Sequence, residues 1–416
     1  MLNKTFIFIV IIFSLLAYSC KDHLKDQVGK KADTIISINP SDASDEINLS
    51  EFVDSVKYIK LQTDSSCIIG HAGQVIIKEK YIYIQDLAKQ VVLIFDNKGD
   101  YVAEFDKIGR GPDEFIDFAP IIVDDKEEYI SLATRTGKGY RYLTYTNIDF
   151  ELIEDQPMPA VYAGWHRKEN NIHYFATQQG NVLLNDEIRN PAMVMVKNGE
   201  IARVLFDNSL GDYRNYLAYF PSSEWFAKND KGELFVSFMF DNTFYQLDGI
   251  NVKPVFTVDF GKYGIDNKTI GSKTRRDQFN YLNNMAGLAA FPVLSINNSN
   301  IMSFSYWYKT CGDADFYDLG NNVTHHQYVA LKNSQKIFHT KKIRNDITGF
   351  PEYVYASSSY YETAHDAWHN NYLVNIFIPG LPIPGMDFPK HVEGLGEITD
   401  DDNPIIVLMR LKSEYR

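Results

Sequence analysis

The chain has 416 residues, of which 45% are hydrophobic and 14% aromatic, so it is long enough to bury a large core. Its 27 tyrosines and 27 phenylalanines favour β-strands, because aromatic side chains pack well on a half-buried pleated surface. The formal net charge of −13 supports solubility. It also argues against a nucleic-acid partner, since binding to phosphates requires basic surfaces.

The N-terminus has the pattern of an export signal. Lys4 precedes an apolar run, Phe6–Tyr18, which is shorter than the ~20 residues of a membrane-spanning helix. The run ends in the letters LAYSC, and small residues before a cysteine resemble the bacterial lipobox. We therefore predict a signal peptide at 1–19, cleavage before Cys20 and lipidation of its thiol. An ordinary signal peptide and a retained membrane helix are the alternatives.

A polar segment follows the predicted cleavage site. Residues 20–45 carry no apolar period, so we predict a flexible tether there, between the lipid anchor and a folded domain at 46–416. The other cysteines, Cys67 and Cys311, lie far apart in sequence, and their spacing predicts no metal site. In an oxidising compartment they could form a disulfide, which the sequence leaves open.

Two kinds of turn alternate along the folded part. The first is a polar turn before a short strand, and it occurs six times: KEKYIYIQD (78–86), DKEEYISLAT (125–134), KENNIHYFAT (168–177), DKGELFVSF (230–238), NNSNIMSFSY (297–306) and WHNNYLVNIF (368–377). The second is a hairpin whose turn contains Asn, Asp, Gly or Ser, residues that tolerate positive φ. It occurs at 91–105, 142–153, 192–206, 243–256 and 327–340.

This alternation gives about four strands in each of six cycles, which predicts an all-β fold, a six-bladed β-propeller with four-stranded antiparallel blades. The sixth cycle lacks an outer strand. We predict that the N-terminal segment SVKYIKLQ (55–62) supplies it and closes the ring, since closure removes two open sheet edges. A β-sandwich with long insertions is the alternative.

The chain also resembles a known family. The matching segments are LAYSC, VKYIKLQTD, VVLIFDNKGDYV, IGRGPDEF and DNPIIVLMRLK, and the motif GxGPxEF at Gly109–Phe115 is the most specific of them. They resemble the NHL-like six-bladed β-propeller lipoproteins of Gram-negative envelopes. The resemblance implies the propeller fold and a lipid-anchored position at the outer membrane, on its periplasmic or surface side. It transfers no catalytic residue.

The segment Gly109–Phe115 is predicted to connect blade 1 to blade 2. Its glycines allow unusual backbone angles, and Pro112 cannot donate a ladder hydrogen bond. The alternative hypothesis is that Arg110, Asp113 and Glu114 line a ligand entrance.

Loop lengths distinguish the two faces of the predicted disc. Turns between strands one and two and between strands three and four are short, and we call that side the short-turn face. The opposite long-loop face receives four long connections, and we predict ligand binding there because long loops on a rigid scaffold often carry function. The four are Phe206–Glu224, Gly261–Phe291, Tyr308–His325 and Pro379–Asn403.

Within 266–290, apolar residues at three-residue steps predict an amphipathic helix that packs on the sheet rim. Arg275 and Arg276 lie early in it and are candidates for binding an anionic ligand, or are simply solvated. Trp307, like the other three tryptophans, is a candidate for stacking on a sugar ring, although a tryptophan in a propeller usually packs between blades.

His365 and His369 are four residues apart and would share one face of a helix, so they are weak candidates for a metal site. His325 and His326 are adjacent and would point in opposite directions on a strand. The acidic segment 313–318 lacks the glycine and glutamate of an EF-hand loop. No GxSxG motif occurs, we predict no cofactor, and the sequence identifies no catalytic residue.

The sequence therefore predicts a lipid-anchored envelope propeller that binds a protein, a peptide or a glycan. The alternative is a hydrolase or lyase, with or without a metal ion, whose site lies at the central channel. Whether the protein is an enzyme is left open, and a binding module is favoured.

Overall fold

Six antiparallel sheets follow one another along the chain and form a ring, which confirms the predicted six-bladed β-propeller. The computed structural model describes residue 32 and residues 34–161, 165–177, 182–184, 187–207, 226–238, 241–265, 275–311, 323–347, 364–380 and 390–416. Within these residues, no helix has the length and apolar character needed to cross a membrane.

The strands are introduced in chain order, and each blade starts with its strand nearest the central channel. The N-terminal segment forms β1 (Thr34–Ser37), β2 (Ile47–Asn48) and β3 (Val53–Lys60). Blade 1 consists of β4 (Ala72–Ile77), β5 (Tyr81–Asp86), β6 (Val91–Asp96) and β7 (Tyr101–Phe105). Blade 2 consists of β8 (Ile121–Val123), β9 (Tyr129–Thr136), β10 (Gly139–Thr146) and β11 (Leu152–Pro157).

Blade 3 consists of β12 (Trp165–Glu169), β13 (Ile172–Ala176), β16 (Pro191–Lys197) and β17 (Glu200–Asp207), with a hairpin of β14 (Val182–Leu184) and β15 (Glu187–Arg189) inserted between its middle strands. Blade 4 consists of β18 (Phe226–Lys228), β19 (Leu234–Ser237), β20 (Thr243–Asp248) and β21 (Asn251–Asp259).

A helix, α1 (Arg275–Asn284), precedes blade 5. That blade consists of β22 (Leu288–Asn297), β23 (Ile301–Lys309), β24 (Val323–Leu331) and β25 (Lys336–Thr340), and two short strands follow, β26 (Ile343–Arg344) and β27 (Ala364–His365). Blade 6 contains β28 (Trp368–His369), β29 (Tyr372–Phe377) and β32 (Ile405–Leu411), with a small hairpin of β30 (His391–Val392) and β31 (Gly396–Glu397) before its last strand.

The N-terminal strand β3 closes the ring, as predicted. It pairs antiparallel with β32 in a register that runs from Val53 opposite Leu411 to Lys60 opposite Ile405, and so becomes the outer strand of blade 6. The hairpin turn of blade 1 fits against its end. Gly99 has a φ of +97°, and a Cβ atom there would lie 2.2 Å from the carbonyl oxygen of Lys60, so only glycine allows this close approach.

The predicted tether, 20–45, is too long at its C-terminal end. Thr34–Ser37 form β1, which adds to the outer edge of blade 4 by parallel pairing with β21. Ile38 is buried in the core between blades 4 and 5. The folded domain therefore begins by Thr34, because this short strand satisfies the open edge of a blade, and Cys20 lies outside the described residues.

Neighbouring blades are held together by apolar cores. Side chains on the two faces of each blade alternate, so every blade packs against both neighbours. The core between blades 1 and 2 joins residues such as Ile94 and Phe105 to Leu143 and Tyr145. Comparable cores join blades 3 and 4, blades 4 and 5, blades 5 and 6, and blades 6 and 1.

The predicted rim helix is present but shorter than the segment that suggested it. In α1, Leu282 is buried and Tyr281 is partly buried against blade 5. Leu288, which the pattern placed on the helix, instead begins β22. Lys309 at the end of β23 is fully buried, and its Nζ donates to the carbonyl oxygens of Leu282 (3.1 Å) and Asn283. It therefore caps the C-terminal end of α1 with a positive charge.

Replacing Lys309 by methionine is expected to lower the free energy of unfolding by about 2 kcal/mol. Methionine keeps the apolar stem but leaves the carbonyl groups at the end of α1 without their charged donor. Urea unfolding of both proteins measures the difference, with K336M as the control because Lys336 is an exposed strand residue. Equal destabilisation by the two substitutions would contradict the capping role.

Candidate functional site

The interface between blades 2 and 3 is only half packed. Its apolar cluster contains Phe175, Val194, Val196 and Val204 from blade 3, and blade 2 contributes the partly buried Ala133. The remainder of the interface is a cleft of about 640 Å³, which opens on the short-turn face at the mouth of the central channel. Protein interiors are normally close-packed, so a cleft of this size is a feature that the fold itself does not require.

The blade 2 wall of the cleft is a row of polar side chains. Ile122, Ser131, Thr144 and Glu154 are directly opposite one another on the four successive strands, so they share the face that points to blade 3. The Ser131 hydroxyl donates to the Thr144 hydroxyl (3.1 Å), which donates to the Glu154 carboxylate (2.9 Å). This chain of hydrogen bonds fixes the orientation of the carboxylate.

The opposite wall comes from the inner strand of blade 3. The Nζ atom of Lys168 lies 4.4 Å from the centre of the Tyr142 ring, a cation–π contact across the interface. Behind it His166 and His173 are both buried, and their ring nitrogens are 3.1 Å apart. Burial lowers the pKa of His173 to about 4 and the pKa of His166 well below its usual value, so both rings are neutral at pH 7.

Ion pairs surround the channel mouth. Asp125 accepts from Lys78 (3.1 Å) and lies 3.8 Å from Lys228, which also pairs with Glu169 (3.1 Å). These four side chains come from blades 1 to 4. The Asp125 side chain is 80% exposed. Desolvation by nearby atoms would raise its pKa, but the hydrogen bond from Lys78 and the charges of both lysines lower it overall. The carboxylate is therefore ionised at neutral pH.

A further ion pair crosses the channel. Asp366 lies on the link between β27 and β28, and its carboxylate is 3.3 Å from Nη2 of Arg167 in blade 3. Strand β27 itself pairs in parallel with the inner strand of blade 1. The cleft thus combines paired charges at its mouth with hydroxyl, aromatic and aliphatic groups inside, a composition suited to orienting a small polar ligand.

The connector Gly109–Phe115 joins β7 to β8 on the long-loop face. Asp113 pairs with Lys107 (3.1 Å), and the Glu114 carboxylate accepts from the backbone N–H of Gly111 (2.6 Å). Arg110 is exposed. Two of the three candidate side chains therefore have contacts within or next to the connector, and a role of Arg110, Asp113 and Glu114 at a ligand entrance stays a prediction.

His365 and His369 do not share a helix. They lie on β27 and β28, two short strands of different sheets, because the segment turns from the channel edge of blade 1 into blade 6. Burial lowers the pKa of each histidine. Across the part of the chain that the structure describes, no three His, Cys, Asp or Glu side chains form a group able to hold a metal ion.

Trp307 lies in the core beside α1. Its side chain is 7% exposed and packs with Leu282, Leu288 and Phe291, so it has no free face for a sugar ring. Arg275 and Arg276 begin α1, but their side chains lie outside the described residues. Cys67 and Cys311 are free thiols in separate cores. Much of the long connections also lies outside the described residues, so binding at the long-loop face stays a prediction.

The cleft residues are not among the candidates that the sequence predicted. One signal was available in the letters YISLATRT and GYRYLTYT of β9 and β10. In a propeller both faces of a middle strand are buried between blades, so Ser131 and Thr144 at these positions indicate a polar interface. Lys168 and Glu154 lacked such a signal, because charged residues near strand ends are usually solvated.

A family model matches this chain in sequence. The match covers residues 33–410, nearly the whole described domain. The chain belongs to the DUF4934 family. The family is described as a domain of unknown function. Its matched region includes β1, in agreement with a folded domain that begins by Thr34, and it includes both walls of the cleft.

Solved structures resemble this DUF4934 protein in fold. A Bacteroides fragilis protein described as exported is 15% identical, with a TM-score of 0.62, and the similarity covers 91% of this chain and 100% of that one. A Bacteroides vulgatus member of the DUF4221 family is 12% identical, with a TM-score of 0.47 over 86% of this chain and 97% of that one. No curated protein matches the chain in sequence. At this identity the first similarity shows the shared fold alone.

Proposed function

We propose that this protein is a lipid-anchored cell-envelope propeller that binds a ligand in the cleft between blades 2 and 3. The observation that carries the proposal is the cleft itself, about 640 Å³ in volume, at an interface where apolar packing stops and a hydrogen-bonded polar row begins. Small-molecule sites commonly have volumes of ~300–1,000 Å³ and a few well-placed polar groups.

Binding is favoured over the alternative of a channel-centred hydrolase or lyase. Asp125, Glu169 and Asp366 are all held in ion pairs with lysine or arginine at the mouth. A general acid or base needs a pKa close to the working pH, and the lowered pKa of Asp125 moves it away from that range. Such pairs are better suited to fixing the shape and charge of a ligand entrance.

A screen for ligands that raise the melting temperature tests the proposed site. Amino acids, short peptides and oligosaccharides are added to the full chain, because a ligand at 100 times its Kd stabilises by about 2.7 kcal/mol. The same ligands should fail to stabilise S131F, which fills the cleft, and I153R, which changes a cleft residue that is 52% exposed. Stabilisation that survives both substitutions would place the site elsewhere.

The lipid anchor is supported by the apolar run Phe6–Tyr18 and the small residues before Cys20. The B. fragilis fold relative is described as exported, which agrees with an envelope location. Fourteen residue steps separate Cys20 from Thr34, and an extended chain spans about 3.5 Å per residue. The propeller would therefore stay within about 50 Å of an outer-membrane surface.

Replacing Cys20 by serine is expected to abolish lipid attachment completely. The thiol is the acceptor in the proposed modification, so cells grown with an alkyne-tagged fatty acid should label the natural protein and not C20S. C311S serves as the control, since Cys311 is another free cysteine of the chain. Label that persists on C20S would contradict the anchor.

A further inference from the structure

Among the residues that the structure describes, two opposite charges in the cleft have no charged partner. The Glu154 carboxylate accepts from the Thr144 hydroxyl and the Gln156 amide, and within the described parts of the chain no lysine or arginine lies within ion-pair distance of it. The Lys168 ammonium rests on the Tyr142 ring and, over the same residues, has no carboxylate partner. The charges at the channel mouth are different, because each one described there has an oppositely charged partner.

These two charges lie on opposite walls. Glu154 is on the outer strand of blade 2, and Lys168 is on the inner strand of blade 3. Both line the same cleft, and they are more than 4.0 Å apart, so they do not form an ion pair with each other. Partly removing a charge from water costs free energy unless an opposite charge or several hydrogen bonds compensate for it. A ligand that carries both charges would supply that compensation.

The geometry points to a zwitterionic ligand, a free amino acid or a short unblocked peptide, whose ammonium group binds Glu154 and whose carboxylate binds Lys168. This inference rests on the proposed function, because it takes the cleft as the binding site. The hydroxyl groups of Ser131 and Thr144 already donate within the polar row, so towards a ligand backbone their oxygens can act only as acceptors. The aliphatic side chains of Ile122 and Ile153 can contact its side chains.

A neutral glycan is the main competing ligand, and it makes a different demand on the site. Its hydroxyl groups would bind Thr144 and Ser131, and its ring would stack on an aromatic side chain such as the partly exposed Tyr129. It would not require Glu154 and Lys168 together. The requirement for two opposite charges is therefore the property that distinguishes the ligand classes.

Titration calorimetry on the full chain tests that requirement. The probes are the twenty amino acids, trialanine, N-acetylated trialanine, trialanine amide and maltotriose. We expect an unblocked probe to bind and each blocking group to weaken its affinity about tenfold or more, since each block removes one charge-assisted hydrogen bond.

Two variants assign the charges to the two walls. E154Q should weaken binding of the unblocked peptide about tenfold and leave binding of the N-acetylated form unchanged. K168M should weaken binding of the unblocked peptide about tenfold and leave binding of the amidated form unchanged. E151Q and K126M are the controls, because both positions are exposed and neither lines the cleft. If N-acetylation and E154Q cause the same loss of affinity, and amidation and K168M do so too, the assignment of the ammonium to Glu154 and of the carboxylate to Lys168 is supported.

Three results would overturn the inference, and they differ in what they leave standing. Equal affinity for blocked and unblocked peptides would remove the charge requirement. Binding of maltotriose alone, lost in S131F, would keep the cleft as the site and replace the ligand class. If none of the probes binds, the zwitterionic ligand is wrong, and the broader melting-temperature screen then decides whether the cleft binds anything.

Discussion

A chain that begins at residue 62 is expected to lose its cooperative fold, whereas one that begins at residue 32 should keep it. The shorter chain lacks the closing strand β3, which occupies the outer edge of blade 6, and it also lacks β1 on the edge of blade 4. Phe52 and Val53 are buried between blades 5 and 6, and Ile59 and Leu61 are buried between blades 6 and 1. With Ile38 between blades 4 and 5, the N-terminal segment therefore contributes to three of the apolar cores that join neighbouring blades.

The expected loss in free energy of unfolding exceeds what a typical protein can tolerate. Deleting one buried phenylalanine or leucine side chain costs about 2–5 kcal/mol, and total stabilities are about 5–15 kcal/mol. Without β3, the apolar strand β32 (Ile405–Leu411) would also present an open edge, which favours aggregation. Circular dichroism during heating and light scattering would show a broad or absent transition together with aggregates.

Point substitutions separate the packing effect from the loss of the strand. F52A and L61A should each lower the free energy of unfolding by about 3 kcal/mol, because both side chains are fully buried. V102A is the control, since Val102 is 39% exposed on the outer strand of blade 1. A chain from residue 62 that remains monomeric and melts cooperatively at the original temperature would show that β3 does not close the ring.

Local sequence patterns determined most of the fold. Alternating strands and turns that tolerate positive φ recur in each blade, and both are properties of neighbouring residues. Asn198 and Gly249, for example, lie in predicted turns and have φ values of +53° and +58°. The closing strand was predictable because the sixth cycle lacked one strand and the chain offered one spare.

The cleft depends on tertiary packing, so its position was not predictable from periodicity. Ser131 and Thr144 occupy ordinary alternating positions, and only the ring arrangement brings them opposite Lys168 of the next blade. The same reason applies to Trp307, for which the sequence left core packing and ligand stacking open and the structure shows packing beside α1. Strand β1 was not predicted, because its four residues are too few to show a strand pattern and its partner strand β21 is far away in sequence.

Acidification from pH 7.5 to pH 5 is expected to lower the free energy of unfolding by about 4 kcal/mol through two buried histidines alone. Burial lowers the pKa of His173 to about 4 and, with the charge of His339, that of His326 to about 3. In the unfolded chain both groups titrate near 6.5, so below that pH the unfolded state binds protons that the folded state does not. Stability therefore falls as the pH drops from 6.5 towards 4.

The structure explains why these rings resist protonation. His326 is fully buried and hydrogen-bonded through Nδ1 to the Tyr306 hydroxyl (3.0 Å) and through Nε2 to the Thr324 hydroxyl (2.9 Å), neutral partners that add no negative charge. The partner of His173 is another neutral ring, His166. A charge placed on either ring would be buried without compensation. The carboxylates with lowered pKa, such as Asp125, change charge only at lower pH.

Urea unfolding at half-unit pH steps measures this dependence. H173Q should make the slope of stability against pH shallower by about 1.4 kcal/mol per pH unit between 6 and 4.5, because one fewer proton is taken up on unfolding. H391Q provides the control, since His391 is an exposed residue of the β30–β31 hairpin, and its slope should equal that of the natural protein. A stability that stays constant from pH 7.5 to pH 5 would contradict the prediction, because it would mean that solvent reaches these histidines in the folded state. The packing between blades 2 and 3 and within blade 5 would then be too loose to keep the two rings buried.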